Sequence, residues 1–229
     1  MRALISWSSG KDSALALYAA VKAGYEIVGL LTTVDVSGYP VVTGHRVLLN
    51  LVKLQAESIG LPLYTVSLPG DLPPSQVYEN IMLEALGSLR RELGVKYVVY
   101  GDIFLRDVME YKLKLLERVD MKPVYLLEGF DTITVTELQL GIGLKAIVVA
   151  VDPQRAPRDM VCAELDRTLL KRLPATVDPA GELGEYHTFV YKAPFYKSDI
   201  NFKILGVTRI QNAHTGSEKL ICDIDEGIG

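Results

Sequence analysis

The chain has 229 residues, of which 49% are hydrophobic, and its net charge is −4. That length suits one large domain, or a main domain with a smaller addition, and the hydrophobic fraction is sufficient for a buried core. The acidic balance argues against nucleic-acid binding, which usually needs a basic surface. The chain starts directly in an apolar strand and has no apolar run long enough to span a bilayer. The sequence therefore predicts a soluble, cytoplasmic protein without a signal peptide or membrane segment.

The first two thirds of the chain alternate apolar strand patterns with helical patterns. Predicted strands lie at 3–7, 26–34, 62–66, 97–100, 124–126 and 146–151, and predicted helices at 14–20, 47–54, 78–89, 105–116 and 134–140. Regular alternation of this kind predicts an α/β fold with a parallel, doubly wound sheet that has helices on both faces.

The character of the sequence changes after residue 152. Residues 153–180 are rich in charge and proline, with one helix predicted around 162–173, and alternating strand-like sequence follows from Phe189. The pattern predicts a small β-rich C-terminal appendage. We therefore divide the chain into domains 1–152 and 153–229, with residues 223–229 as a frayed acidic end.

Cys162 and Cys222 are the only two cysteines. Two cysteines do not make the pattern of a disulfide framework or of a zinc site. The sequence therefore predicts two buried free thiols.

A short segment of small and charged residues links the first predicted strand to the first helix: Ser8, Ser9, Gly10, Lys11, Asp12 and Ser13. In this segment, loop 8–13, backbone N–H groups and the positive end of the helix dipole converge, which favours anion binding. Lys11, expected on an exposed loop, adds a cation, and the serines add hydroxyl donors. A carboxylate at Asp12 beside a phosphate predicts a divalent metal ion between them. The alternative is a helix start that binds no ligand.

The Walker A motif and the dinucleotide-binding motif G-x-G-x-x-G do not fit loop 8–13. A Walker A loop would need Gly at position 5 and Ser or Thr at position 12, where the chain has Ile5 and Asp12. In parallel sheets, ligands bind beyond the carboxyl ends of the strands. We therefore expect loop 8–13, the loop with His45, and Gly101-Asp102 to face one crevice.

Other charged residues and histidines have simpler interpretations. His214 and His45 are each predicted to be surface or loop histidines. For His45 a functional role is also considered, because its loop is expected to face the crevice. Three basic residues are predicted to lie on the solvated face of their helix: Lys112, Lys114 and Arg118.

A second segment with chemical potential is Gly-Glu-Leu-Gly-Glu-Tyr-His-Thr at 181–188. Glu182, Glu185 and His187 could bind a metal, act as acid and base, or hold an amine. A hairpin entry without a functional role could have the same composition. No spacing of Cys or His supports a structural zinc site.

Both segments resemble known motifs. Loop 8–13 resembles the S-G-G-K-D-S pyrophosphate loop of the N-type ATP pyrophosphatases, with Ser9 in place of the first glycine. Segment 181–188 resembles the G-E-x-G-E-[FY]-H-T signature of the diphthine–ammonia ligase family. Other matching segments follow in order: Gly44-His45, Gln55-Ala56, Gly101-Asp102-Ile103 and 146–152. The resemblance covers nearly the whole chain and implies an adenine nucleotide α-hydrolase-like fold, with 1–152 as the nucleotide-binding domain and 153–229 as the acceptor region.

The resemblance also implies a reaction. ATP and Mg²⁺ bind at loop 8–13, a substrate carboxylate attacks the α-phosphate, and ammonia converts the adenylate to an amide with release of AMP. The implied acceptor is diphthine on elongation factor 2. The implied catalytic residues are Lys11, Asp12, Glu182, Glu185 and His187, with Asp12 on the metal. The implied nucleotide-binding residues are Ser8, Ser9, Gly10, Lys11, Asp12, Ser13, His45, Gly101 and Asp102.

Three positions depart from the family pattern, all near the implied acceptor side. Ala180 stands where the family often has Cys, Glu128 where Trp is common, and residues 107–111 lack the usual arginine. Two other hypotheses therefore stay open: an ATP pyrophosphatase with another carboxylate or a tRNA as acceptor, and a nucleotide-binding sensor that does not cleave ATP. The acidic chain argues against tRNA, and the presence of Lys11 and Asp12 argues against the sensor. A homodimer is left open.

Overall fold

The computed structural model describes residues 1–71, 73–211 and 218–227. His214 lies outside the described residues, and so do the last two residues of the predicted frayed end. The described chain forms two sheets, one mainly parallel and one antiparallel. No helix in the described residues is long and apolar enough to cross a membrane.

The parallel sheet carries the first half of the chain, as the alternation predicts. Its strands are β1 (Arg2–Ser6), β2 (Glu26–Asp35), β3 (Val41–Val42), β4 (Leu63–Leu68), β5 (Tyr97–Tyr100) and β6 (Lys122–Tyr125). The order is β3-β2-β1-β5-β6, with β4 also paired to β2, and only the β2–β3 pairing is antiparallel. The strand β1 is central, and its apolar residues Ala3, Leu4 and Ile5 are fully buried. Loop 8–13 therefore begins at the middle of the sheet.

Four helices connect these strands, α1 (Lys11–Lys22), α2 (Leu49–Ile59), α3 (Ser75–Leu93) and α4 (Arg106–Glu117), and α5 (Thr132–Gly141) leads from β6 to the second sheet. The ends of α2 and α3 follow from Gly60 and Gly94, which adopt left-handed φ values of 81° and 64°. The start of α5 follows from Asp131, whose carboxylate accepts a hydrogen bond from Thr134 N at 2.8 Å.

The antiparallel sheet consists of β7 (Lys145–Val151), β8 (Tyr186–Lys192), β9 (Phe202–Gln211) and β10 (Glu218–Glu226), in the order β8-β7-β10-β9. The sequence assigned β7 to the parallel series, but its partners are β8 and β10. Residues 146–151 of β7 are all buried. An unbroken apolar run predicts a strand covered on both faces, but it does not say which strands lie beside it. The domain boundary at residue 152 remains a prediction.

The C-terminal end is more ordered than predicted. Residues 223–226 continue β10 and pair with β9, for example Asp223 with Gly206. The prediction of a frayed end is therefore wrong for residues 223–226. The reason is that Ile224 is buried, so the strand has an apolar anchor despite its acidic neighbours.

The segment between β7 and β8 contains a short 3₁₀ helix at Arg158–Met160 and α6 (Arg167–Lys171). The helix predicted at 162–173 is thus shorter, because Asp166 caps its start by accepting from Leu169 N at 2.7 Å.

Cys162 and Cys222 form a disulfide, with their Cα atoms 5.2 Å apart. The prediction of two free thiols is therefore wrong. Cys222 lies on β10 next to β7, and Cys162 follows β7, so the folded sheet joins residues that are 60 apart in sequence. Sequence spacing carries no sign of this proximity.

Candidate functional site

Loop 8–13 lies at the carboxyl end of β1 and leads into α1. The first intrahelical bond runs from Ala14 N to Gly10 O, so the N–H groups of Asp12 and Ser13 stay outside the helical ladder. Gly10 has no room for a side chain, because a Cβ atom would lie 2.8 Å from His45 Cε1. Loop 8–13 therefore presents backbone N–H donors that have no helical partner, and Gly10 packs closely against His45.

Ser9 occupies a position that suits glycine. Its φ is 71°, in the left-handed region, and it is fully buried. Its hydroxyl has no hydrogen-bond partner within the described structure. The glycine of the pyrophosphate-loop pattern would adopt this backbone conformation without a steric cost.

Lys11 is buried, with 2% of its surface exposed, so the expectation of an exposed loop lysine is wrong. Its Nζ donates to both carboxylate oxygens of Asp12, at 2.9 and 2.8 Å, and to Ala180 O at 2.5 Å. It also lies 5.5 Å from the centre of the Tyr186 ring. The region 180–186 covers the lysine because it folds back over α1.

Asp12 has a second partner that the sequence did not indicate. Gln139, on α5, donates from Nε2 to Asp12 Oδ1 at 2.8 Å. Gln139 is 1% exposed, and its Oε1 has no partner within the described structure. The interaction orients the carboxylate of Asp12 from a neighbouring helix.

Gly101 and Asp102 follow β5, and Gly101 lies beside the backbone of Asp12 in loop 8–13. A Cβ atom at Gly101 would lie 2.7 Å from the backbone carbon of Asp12, so only glycine fits this close approach. Asp102 accepts from Lys112 Nζ at 2.7 Å with both oxygens.

Lys112 is therefore not on a solvated face. Its side chain is 25% exposed, and its Nζ lies 4.6 Å from the centre of the Tyr100 ring. The position of Lys112 on α4 directs its side chain to Asp102. Lys114 and Arg118 are exposed, as predicted.

The segment 181–188 packs directly on loop 8–13. Thr188 Oγ1 accepts from Lys11 N at 3.1 Å, and Val190 N donates to Ser9 O at 2.9 Å. Gln55, which is fully buried on α2, donates to Ser9 O at 3.1 Å and to Val190 O at 2.7 Å. The two motifs thus form one continuous structure.

Glu182 lies at the junction of the two motifs. Its Oε1 accepts from Ile103 N at 2.9 Å. Burial is the main cause that raises the pKa of Glu182 to about 7, and the negative charges of Asp12 and Asp102 raise it further. Near neutral pH this carboxyl group can therefore both take and give a proton.

Glu185 is more deeply buried than Glu182, with 2% of its surface exposed. Its Oε1 accepts from Asp178 N at 3.1 Å, while Oε2 has no partner within the described structure. The carboxylate thus holds the turn that precedes segment 181–188.

His45 and His187 form a pair above the loop, with ring centres 4.5 Å apart. His45 Nδ1 lies 3.3 Å from Thr188 O. Burial lowers the pKa of His45 to about 4 and lowers the pKa of His187 well below its usual value. Both rings are therefore neutral at pH 7.

The structure brings His45, Gly101 and Thr188 into contact with loop 8–13, whereas the side chain of Glu185 contacts Asp178 instead. Sequence reasoning missed Gln139 and Lys112, which have no motif of their own, and it did not foresee the connecting role of Gln55. No group of three or more His, Cys, Asp or Glu side chains that could hold a metal occurs among the described residues. A Mg²⁺ ion here would need nucleotide phosphates for most of its ligands, and Asp12 would be its protein ligand, which is a common arrangement for Mg²⁺.

One comparison with known families covers loop 8–13 but not segment 181–188. The family model of the diphthamide synthase N-terminal domain matches residues 1–123. A solved structure of a predicted subunit of tRNA methyltransferase from Methanocaldococcus jannaschii is 18% identical and covers 85% of this chain and 98% of that chain, with a TM-score of 0.45. The U34-tRNA thiolase NcsA from Methanococcus maripaludis, solved with its 4Fe-4S cluster, is 14% identical and covers 62% of this chain and 57% of that chain, with a TM-score of 0.39. No curated protein matches the sequence.

Proposed function

Because the chain belongs to the family of the diphthamide synthase N-terminal domain, whose members use ATP, we propose that it is an ATP-dependent ligase. It adenylates a carboxylate, releases pyrophosphate, and amidates the adenylate with ammonia to give AMP. The observation that carries this proposal is the direct packing of segment 181–188 on loop 8–13, which joins a phosphate site to an acid–base site.

On the nucleotide side, loop 8–13 binds the phosphates. The free N–H groups of Asp12 and Ser13 and the positive end of α1 stabilise the negative charge that develops on the leaving pyrophosphate. Lys11 turns from Asp12 to a phosphate oxygen, because a polyphosphate outcompetes a single carboxylate for its ammonium group. Asp12 is then free to hold Mg²⁺, which neutralises phosphate charge when it is bound.

On the acceptor side, the carboxyl groups of Glu182 and Glu185 and the neutral imidazole of His187 handle the carboxylate and the amine. Glu182 is the proton carrier, since its pKa of about 7 lies near the working pH. The neutral His45 and His187 rings form an uncharged wall that does not compete for the phosphates.

For the acceptor we propose diphthine on elongation factor 2, as the family name and segment 181–188 suggest. The alternative acceptor for the same ATP-dependent reaction is another carboxylate substrate or a tRNA. A sensor that binds ATP without cleaving it is the alternative outside that chemistry.

The experiment is to incubate the protein with ATP, Mg²⁺, ammonium and diphthine-bearing elongation factor 2, and to measure AMP, pyrophosphate and amide formation. We expect AMP and pyrophosphate in equal amounts, with an amide on the factor. Production of ADP, or no cleavage of ATP under any acceptor, would contradict the proposed reaction. If AMP forms only with another carboxylate or with a tRNA, the proposed acceptor is wrong but the proposed reaction stands.

Lys11→Ala tests the phosphate site, and Lys22→Ala on the exposed end of the same helix is its matched control. We expect Lys11→Ala to lose pyrophosphate release and Lys22→Ala to keep it. Because Lys11 is buried, circular dichroism must show that Lys11→Ala stays folded. A folded Lys11→Ala with normal pyrophosphate release would remove loop 8–13 from the reaction.

A further inference from the structure

We propose that Lys219, on β10, binds a phosphate group of the nucleotide beside the histidine pair His45 and His187. This lysine extends the phosphate site of loop 8–13 into the antiparallel sheet. Because the anion is identified as a nucleotide phosphate, this role of Lys219 rests on the proposed function.

The strand pairing of the antiparallel sheet places Lys219 and His187 on the same face. Ile221 of β10 lies opposite Ala150 of β7, and Ala150 lies opposite His187 of β8. Residues directly opposite each other point to one face of a sheet, and so do residues two apart in one strand. Lys219 precedes Ile221 by two residues, so its side chain leaves the sheet on the face that carries His187.

The histidine pair links this face to loop 8–13. The ring centres of His187 and His45 are 4.5 Å apart, and a Cβ atom at Gly10 would lie 2.8 Å from His45 Cε1. Burial lowers the pKa of both rings most, and the positive charges of Lys11 and Lys219 lower it further. Lys219 therefore acts electrostatically on the residues that pack against loop 8–13.

Lys219 lacks a counter-ion in the parts of the chain that the structure describes. It is partly buried, and it forms no ion pair and no side-chain hydrogen bond with the described residues. Glu218, its neighbour in the chain, pairs with two arginines at 3.4 Å. Asp152, directly after β7, lies 3.6 Å from Arg155. A partly buried cation without a partner favours an anionic ligand, because an unpaired charge is costly to bury.

The groups around Lys219 suit phosphate oxygens. A lysine ammonium has three N–H donors on a flexible stem and is a common phosphate ligand. The neutral ring of His187 offers one N–H donor and brings no competing negative charge. The other oxyanion of the proposed reaction is the acceptor carboxylate, but a polyphosphate carries more negative charge and attracts a cation more strongly. We therefore assign Lys219 to the nucleotide.

The test uses the full chain with Mg²⁺ and α,β-methylene-ATP, an analogue that resists cleavage between its α- and β-phosphates, and measures Kd by calorimetry. Lys219→Met removes the charge but keeps an apolar stem. We expect it to raise the Kd about tenfold or more, as is typical for the loss of a hydrogen bond from a charged group. Lys219→Arg should keep most of the affinity. Lys203→Met, on the exposed start of β9, is the matched control and should bind as the wild type.

Titrations with sodium pyrophosphate and with sodium acetate distinguish the two oxyanions. Lys219→Met should weaken the binding of pyrophosphate and leave acetate unaffected. An effect on acetate alone would make Lys219 a carboxylate ligand and overturn the proposal. Because Lys219 is partly exposed, the difference between wild type and Lys219→Met should shrink as KCl increases, which a mere packing defect would not cause.

Circular dichroism checks that Lys219→Met is folded. A folded Lys219→Met that binds the analogue and pyrophosphate as the wild type does overturns the role of Lys219 but leaves the proposed function intact. Equal losses in Lys219→Arg and Lys219→Met would also overturn it, because the charge would then not matter. A wild type that binds no nucleotide contradicts the proposed function as well, so the two failures are distinguishable.

Discussion

Thr188 Oγ1 accepts a hydrogen bond from the backbone N–H of Lys11 at 3.1 Å, across 177 residues of chain. Lys11 begins α1, so the bond satisfies one of the N–H groups that a helix start leaves without a partner. A residue of the antiparallel sheet thus supports the phosphate loop of the parallel sheet. The two motifs that the sequence presents separately depend on each other for their conformation.

Thr188→Val tests this dependence. Valine has nearly the same shape but no acceptor, so the N–H of Lys11 loses its partner in a buried position, and we expect a stability loss of about 1–3 kcal/mol. The measurement is unfolding in urea. Thr188→Ser keeps the hydroxyl and should recover most of the loss, whereas a valine variant as stable as the wild type would show that the bond contributes nothing.

Ser9→Gly should stabilise the protein. Serine at a φ of 71° has a steric cost of about 1–2 kcal/mol, and its buried hydroxyl without a partner adds to that cost. Glycine also makes the unfolded chain more flexible, which offsets up to about 1 kcal/mol. We expect a net gain of about 1 kcal/mol and a Tm higher by about 2–4 °C.

The comparison variant for this prediction is Ser9→Ala. It removes the hydroxyl but keeps the left-handed backbone strain, so its Tm should lie between those of the wild type and Ser9→Gly. A Tm of Ser9→Gly below that of the wild type would mean that the hydroxyl has a partner in solution.

Glu182 should make stability depend on pH. Its pKa in the folded protein, about 7, lies above the ordinary value of 4.5. Between these values the folded state holds the proton more tightly than the unfolded state, so this contribution to stability is lost as pH rises from about 4.5 to 7. The stability of the wild type relative to Glu182→Gln should therefore fall between pH 5 and pH 8.

Urea unfolding of both proteins across this range checks the sign. Glu84→Gln, an exposed substitution of the same kind, should keep a constant difference from the wild type. If the difference between wild type and Glu182→Gln stays constant or increases with pH, Glu182 does not have a raised pKa.

Reduction of the Cys162–Cys222 disulfide should lower stability. The bond closes a loop of 60 residues, and the chain-entropy model then gives a contribution of about 4 kcal/mol. Dithiothreitol should therefore lower the urea midpoint of the wild type but not that of Cys162→Ala/Cys222→Ala. Two titratable thiols in the untreated, unfolded protein would show that the disulfide is not formed.

The sequence alone was sufficient for five strands of the parallel sheet, though not for the short β3, and for loop 8–13 as the link between β1 and α1. Alternating strands and helices in the first half allow few arrangements, because each helix must cross back over the sheet. The placement of Gly101-Asp102 beside Asp12 was also predictable, since the carboxyl ends of neighbouring parallel strands meet at one edge. These inferences need only local pattern and the general geometry of parallel sheets.

Only the tertiary structure decided which distant side chains share the site. Gln139 on α5 binds Asp12, Thr188 on β8 binds Lys11, and Lys112 turns to Asp102, yet none of these pairs is marked by spacing or motif. The same holds for the Cys162–Cys222 bond and for the placement of β7 in the second sheet. Local pattern reports how a segment buries its own apolar face, but contacts between segments depend on how two sheets pack, and that is a property of the whole chain.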